Sequence, residues 1–271
     1  MMNKATCIST MIGNMYIRHC SQASRFKGKV ALISGATRGI GLATARRFAQ
    51  EGAKVIISSR KQKNVDEALQ TLHSEGLEVT GLASHVSKES DRRALLYEAE
   101  NLGGIDILFQ NAGAHPNPGK IVDCTEGMWD KTMDTNLKAS FFLAKESLPL
   151  IQKRGGGSII FMSSIAAYSP FKAGGAVYSV SKGGLLVLTK AMAGEFAEYN
   201  IRVNCVAPGI IDTEFARILG PHLDELLKTV PLNRCGKTED VSGVVAFLAS
   251  QDASFITGET IVISGGMISR I

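Results

Sequence analysis

Val30-Ala31-Leu32-Ile33-Ser34-Gly35-Ala36-Thr37-Arg38-Gly39-Ile40-Gly41 is the stretch that decides how this chain folds. Its first five residues form a short apolar run, the kind that becomes a parallel strand buried on both faces. A glycine-rich turn follows, and then a helical pattern from Leu42 to Gln50. Strand, glycine-rich turn and helix, in that order, are the context of a dinucleotide site. The glycines permit a tight turn and close backbone approach, and the helix N-terminus offers free N–H groups to a pyrophosphate. The spacing is Gly-x-x-x-Gly-x-Gly rather than Gly-x-Gly-x-x-Gly. By itself such a turn often does no more than join a strand to a helix.

The pattern repeats outward from this unit. Apolar runs predict strands at 29–34, 54–59, 78–84, 105–109, 157–162, 201–206 and 260–264, with helices at 39–51, 62–75, 88–102, 127–153, 177–199 and 238–250. Alternation of this kind predicts a single α/β domain, a Rossmann-type doubly wound parallel sheet with helices on both faces. Ligands of such sheets sit beyond the carboxyl ends of the strands. The segment from Pro208 to Gly236 breaks the alternation. Its helix-like stretches Phe215–Leu219 and Leu223–Thr229, interrupted by Gly220-Pro221, predict a small helical lid over a substrate.

Three more motifs fall at predicted strand ends or on the helices that follow: Gln110-Asn111-Ala112-Gly113, Asn204-Cys205-Val206-Ala207-Pro208-Gly209, and Tyr178-Ser179-Val180-Ser181-Lys182. On a helix the last spacing sets phenol and ammonium on one face. A cation beside a phenol stabilises the phenolate and lowers its pKa from about 10. With four motifs in order, the chain closely resembles the short-chain dehydrogenase/reductase family over residues 28 to 266. The strings Gly155-Gly156-Gly157-Ser158 and Ser163-Ser164-Ile165-Ala166-Ala167, with the ending Ser269-Arg270-Ile271, resemble within it the peroxisomal NADP-dependent carbonyl and retinal reductases.

The resemblance implies a division of labour. Tyr178 would give its proton to a carbonyl oxygen, Lys182 would lower the tyrosine pKa and bind the nicotinamide ribose, and Ser164 would orient the carbonyl. Ser164 lies one residue further from Tyr178 than is usual in the family, so Ser163 stays an alternative. Asn136 matches the asparagine that holds a water chain leading to the lysine. Gly35, Thr37, Arg38, Gly39, Ile40 and Gly41 would cradle the cofactor, and Asn111, Ala112, Gly113, Pro208, Gly209, Ile211 and Thr213 would line it. At the end of the third strand the family commonly has Asp-Val, whereas this chain has His85-Val86, so the side-chain contact there must differ. The family is typically homotetrameric through the helices near 127–153 and 177–199.

Charge argues for NADP(H). An acidic residue at the end of the second strand would bind the ribose hydroxyls of NAD. Here that strand ends Ser59-Arg60-Lys61, with no carboxylate until Asp66, and Arg38 sits in the glycine-rich turn on the same side. Two guanidinium groups can clamp a 2′-phosphate. For the substrate, His115, Ile165, Phe171, Phe215 and Leu219 are candidate wall residues; their apolar character suits a small lipophilic carbonyl compound. A 3-oxoacyl thioester reductase is the alternative within enzymes, and a non-catalytic NADP-binding protein is the alternative outside them.

Composition sets further bounds. The 271 residues suffice for one large core. Five scattered cysteines lack metal-ligand spacing, so no metal site is expected. Eight of the 30 Lys and Arg lie in residues 1 to 50, which hold no acid; the remaining 22 face 25 acids. A mildly acidic body without a basic stripe does not fit nucleic-acid binding. No apolar run is long enough to span a bilayer. Residues 1–27, rich in Ser and Thr and acid-free, resemble a mitochondrial leader or a disordered tail, whereas the C-terminal Ser269-Arg270-Ile271 resembles a peroxisomal address ending in Ile rather than Leu. Mitochondrion and peroxisome are the two localisations expected, with cytosol the third.

Overall fold

A computed structural model describes residues 24–115, 119–170, 175–214 and 223–267. The leader up to residue 23, Phe171, Phe215, Leu219 and the C-terminal tripeptide lie outside the described residues, as does the helix expected at 215–219.

Seven strands form one sheet: β1 (Val30–Ser34), β2 (Lys54–Ser59), β3 (Val79–Ala83), β4 (Ile107–Gln110), β5 (Gly157–Met162), β6 (Ile201–Pro208) and β7 (Thr260–Ile263). Their order is β3-β2-β1-β4-β5-β6-β7, and every pairing is parallel. The returns run through α1 (Gly39–Gln50), α2 (Gln62–Ser74), α3 (Glu89–Asn101), α4 (Glu126–Met133), α5 (Ala139–Gln152), α6 (Ala176–Phe196) and α8 (Thr238–Ala249), while the short α7 (Leu223–Leu227) lies between β6 and α8.

Alternation along each strand explains why the runs are apolar throughout. Ala31, Ile33, Val55, Ile57, Ile107 and Phe109 point to one face, where Phe48 of α1, Leu72 of α2 and Val245 of α8 cover them. Val30, Leu32, Ile56 and Leu108 point to the other, under Leu95 of α3, Leu143 of α5 and Leu185 of α6. Successive side chains of a strand face opposite ways, so a sheet covered twice needs both sets apolar.

The single helix expected over 127–153 is two helices, α4 and α5, joined by a π-helical turn at Asp134–Lys138. Wider turns of this kind gather at functional sites. Asn136, at its centre, spends its side chain on residues outside the helix, and its carbonyl takes the Ser140 hydroxyl at 2.9 Å. The fourth strand also begins two residues later than expected and includes Gln110, whose amide is anchored on the Ser140 carbonyl at 2.9 Å.

Phe109 is fully buried in β4, at the centre of the sheet. Phe109→Ala should lower unfolding stability by about 3–5 kcal/mol, measured as a fall in urea midpoint with unchanged slope.

Candidate active site

The sheet order reverses between β1 and β4, which is where an open α/β sheet leaves its crevice. A cleft of about 870 Å³ opens there, walled by the carboxyl ends of β1 to β6. Its walls include Gly35, Thr37, Arg38, Gly39 and Ile40 after β1, Ser59, Arg60 and Lys61 after β2, and His85 and Val86 after β3. Asn111, Ala112, Gly113 and His115 follow β4; Ser163, Ser164 and Ile165 follow β5; Pro208, Gly209, Ile211 and Thr213 close β6. Tyr178 and Lys182 enter from α6.

Two expected members stand behind the walls. Gly41 packs the first turn of α1 against the loops: a Cβ there would lie 2.4 Å from the Gly35 carbonyl and 2.6 Å from Asn111 Nδ2. Asn136 is fully buried and is not part of the cleft wall. Its side chain instead clasps Ala114, accepting that N–H at 2.7 Å and donating to that carbonyl at 2.9 Å.

The glycine-rich turn fits a dinucleotide. Gly35 takes φ +65 and Gly39 φ +54, a region L side chains avoid, and a Cβ on Gly35 would stand 2.8 Å from Ala112 Cα. Asn111 Nδ2 donates to the Gly35 carbonyl at 2.6 Å, tying the second motif to the first. The α1 N-terminus lacks a side-chain cap, leaving its N–H groups to a ligand. Arg38 is ion-paired with Glu214, a few residues beyond β6, both exposed. Asp66 is on α2, exposed and bonded to Gln62, and does not line the cleft. His85 holds Asp91 through its backbone N–H at 2.8 Å, and its buried Nδ1 has no hydrogen-bond partner among the described residues.

At the reactive end the two serines separate. Ser163 Oγ donates to the Lys182 carbonyl at 2.8 Å and serves the helix. Ser164 accepts the Ala166 N–H at 3.2 Å and is the serine whose side chain acts on the Tyr178 phenol, pulling its pKa down. His115 stacks on the Tyr178 ring, centroids 4.7 Å apart and planes 9° from parallel. Gly175, at φ +85, leaves room for that ring, since a Cβ there would meet His115 Nε2 at 2.9 Å. Nothing in the sequence marked Gly175 for this, because a positive φ leaves no trace beyond the glycine itself.

Lys182 Nζ is buried, donates to the Met162 carbonyl at 2.6 Å, and lies 5.6 Å from the Tyr178 ring centroid. Burial pulls its ammonium down to about 8. Burial also pushes the Tyr178 phenol up to about 12, although Tyr178 keeps part of its surface open to the cleft. Desolvation is thus the largest influence on the phenol, and the Ser164 side chain the one that opposes it.

A lysine that ionises near 8 when folded and near 10.5 when unfolded gives the unfolded chain the extra proton between those values. The contribution of Lys182 to stability should then rise from pH 8 to 10, while the buried Cys205 thiol, pushed from 9.0 up to about 11, keeps its proton when folded and lowers stability above pH 9. Urea midpoints between pH 8 and 9 should therefore climb in the wild type relative to Lys182→Met; parallel curves would refute the assignment.

Residues 35–268 match a family model described as enoyl-(acyl carrier protein) reductase. The chain is 52% identical over 258 residues to dehydrogenase/reductase SDR family member 4 of Bos taurus, covering 93% of this chain and 92% of the bovine protein. Against the Homo sapiens protein of the same name identity is 53% over 247 residues, covering 90% and 88%. Tropinone reductase-like 3 of Erythroxylum coca is 47% identical over 251 residues, covering 91% and 96%. A solved short-chain type dehydrogenase/reductase from Mycobacterium ulcerans superposes with a TM-score of 0.84 at 28% identity, covering 89% of this chain and 90% of that one. The parallel sheet, the glycine-rich turn and the Tyr178–Lys182 helix thus agree with overall likeness: the chain belongs to the short-chain dehydrogenase/reductase family of oxidoreductases.

Proposed function

We propose that this chain reduces lipophilic ketones, dicarbonyls or retinal to alcohols with NADP(H), Tyr178 being the proton donor. The observation that carries the reading is the meeting of Ser164, Tyr178 and Lys182 in one cleft whose far wall is basic. A bound nicotinamide cofactor would supply the hydride to the carbonyl carbon. Tyr178 and Ser164, which line the same cleft, offer hydroxyls to the carbonyl oxygen. Ser164 orients that oxygen and Tyr178 releases its proton to it, leaving a phenolate. The Lys182 ammonium stabilises that phenolate, and closing the cleft to water strengthens the attraction.

The preference for NADP(H) rests on charge. Arg38, Arg60 and Lys61 line the wall after β1 and β2, and the nearest acid in sequence after β2, Asp66, lies outside the cleft. A 2′-phosphate there gains charge-assisted hydrogen bonds and meets no carboxylate from β2. Arg38 would exchange Glu214 for that phosphate. The family's tetramer would use the apolar side chains exposed on α4 and α6, Trp129, Val180 and Val187 among them. The matched model's description makes a thioester the natural competing substrate.

Loss of reduced-nicotinamide absorbance, followed with NADPH and NADH, tests the reading. Retinal, an aromatic α-diketone and an acetoacetyl thioester form the panel. Turnover of the first two with NADPH should fall about 10²–10⁴-fold in Tyr178→Phe. Turnover of the thioester alone would move the assignment to acyl-thioester reduction, and tight NADPH binding without turnover would favour the non-catalytic reading. Arg60→Ala should weaken NADPH binding about tenfold or more, the loss of one charge-assisted contact, and leave NADH binding unchanged.

A further inference from the structure

We propose that Ser181 is a positioning residue of this site: through the Asn136 side chain it holds the Gly113–Ala114 backbone beside the Lys182 ammonium. The kinetic part of this inference rests on the Tyr178–Lys182 chemistry proposed above; the structural part does not.

Ser181 is fully buried on α6. Its hydroxyl donates to the Tyr178 carbonyl at 2.7 Å, which any helical serine can do three residues back. The second bond is the informative one. Asn136 Nδ2, 45 positions away in sequence, donates to Ser181 Oγ at 2.9 Å.

The protons of this cluster admit one arrangement. The Ala114 N–H must meet an acceptor, so it faces Asn136 Oδ1, and the Ala114 carbonyl must meet a donor, so it faces Nδ2. The remaining Nδ2 hydrogen goes to Ser181, which must then send its own hydrogen elsewhere; the Tyr178 carbonyl receives it. An amide with both hydrogens and its oxygen engaged cannot turn over without breaking three bonds.

What is held in place borders the reactive groups. A Cβ at Gly113 would stand 3.5 Å from Lys182 Nζ and 3.6 Å from Asn136 Oδ1, so that backbone forms one side of the lysine's chamber. Across it the Met162 carbonyl takes the ammonium at 2.6 Å. The residue after Ala114 is His115, whose ring lies on Tyr178. Ser181 therefore closes a circuit from Tyr178 through Asn136 and the post-β4 loop back to the Tyr178 ring. Removing its hydroxyl leaves one hydrogen of the buried Asn136 amide without that acceptor and frees the amide to turn.

The test compares Ser181→Ala, Ser181→Thr, Asn136→Ala and the Ser181→Ala/Asn136→Ala pair as full-length proteins, each checked for an unaltered urea slope. Hydrogen–deuterium exchange of the ligand-free protein reads the Asn111–His115 segment. Exchange there should quicken about tenfold in Ser181→Ala and return to the wild-type rate in Ser181→Thr. The reductase assay should show kcat down about tenfold in Ser181→Ala with NADPH affinity held, and restored by threonine. In the Asn136→Ala background, adding Ser181→Ala should change neither readout, the signature of two residues acting through one contact. Unchanged exchange in Ser181→Ala, or effects that simply add in the double variant, would overturn the proposal. Quickened exchange in a wild-type frame that turns over no carbonyl would uphold the wiring and overturn the kinetic part together with the functional reading.

Discussion

A parallel sheet cannot be built from hairpins. Each strand must return to the same edge before the next begins, so the chain crosses over through a helix every time. In this protein that constraint puts the carboxyl ends of all seven strands along one edge and a loop at each of them. Segments far apart in sequence, the turn after Ser34 and the loop after Gln110, are thereby brought within hydrogen-bond reach, and Lys182 of α6 reaches the last carbonyl of β5. The site follows from this edge, and its apolar strands follow from the need to cover both faces.

At the centre of that edge lies an unfavourable burial. A lysine and a tyrosine are drawn into a region that disfavours both charges, lowering one pKa and raising the other. The fold meets the ammonium with a main-chain carbonyl rather than a carboxylate. A neutral partner satisfies the hydrogen bond while leaving the positive charge uncompensated, ready for a negative charge that forms during reaction. A fixed carboxylate at that position would quench the effect. Electrostatic preorganisation of this type depends on surroundings that stay in place, and Asn136, Ala114 and Ser181 form part of those surroundings.

Much of this was readable beforehand. Most strand and helix bounds met expectation within a few residues, because a strand buried on both faces reads as a continuous apolar run and the covering helices keep a helical apolar pattern. The four motifs were also readable, since glycines at a tight turn and a Tyr–Lys pair at helical spacing are restricted by backbone sterics and side-chain chemistry. The break in the helix at Asp134–Lys138 was not. A π turn depends on what lies across from it, here the Ala114 peptide, and no local propensity encodes that. Sequence also could not say how Gly41 and Asn136 contribute: both stand behind the cleft wall, Gly41 packed against the loops and Asn136 clasping Ala114.

The sequence by itself determined the fold class, the order of the motifs and the basic character after β2, because these depend on residue type and near-neighbour spacing. Only the tertiary structure decided which of Ser163 and Ser164 meets Tyr178, how the ammonium is held, and what Ser181 touches. Each of these turns on which way a side chain points at a strand end, or on a contact between residues dozens of positions apart. Such contacts arise when packing closes two elements on each other, and before that closure nothing along the chain distinguishes one serine from its neighbour.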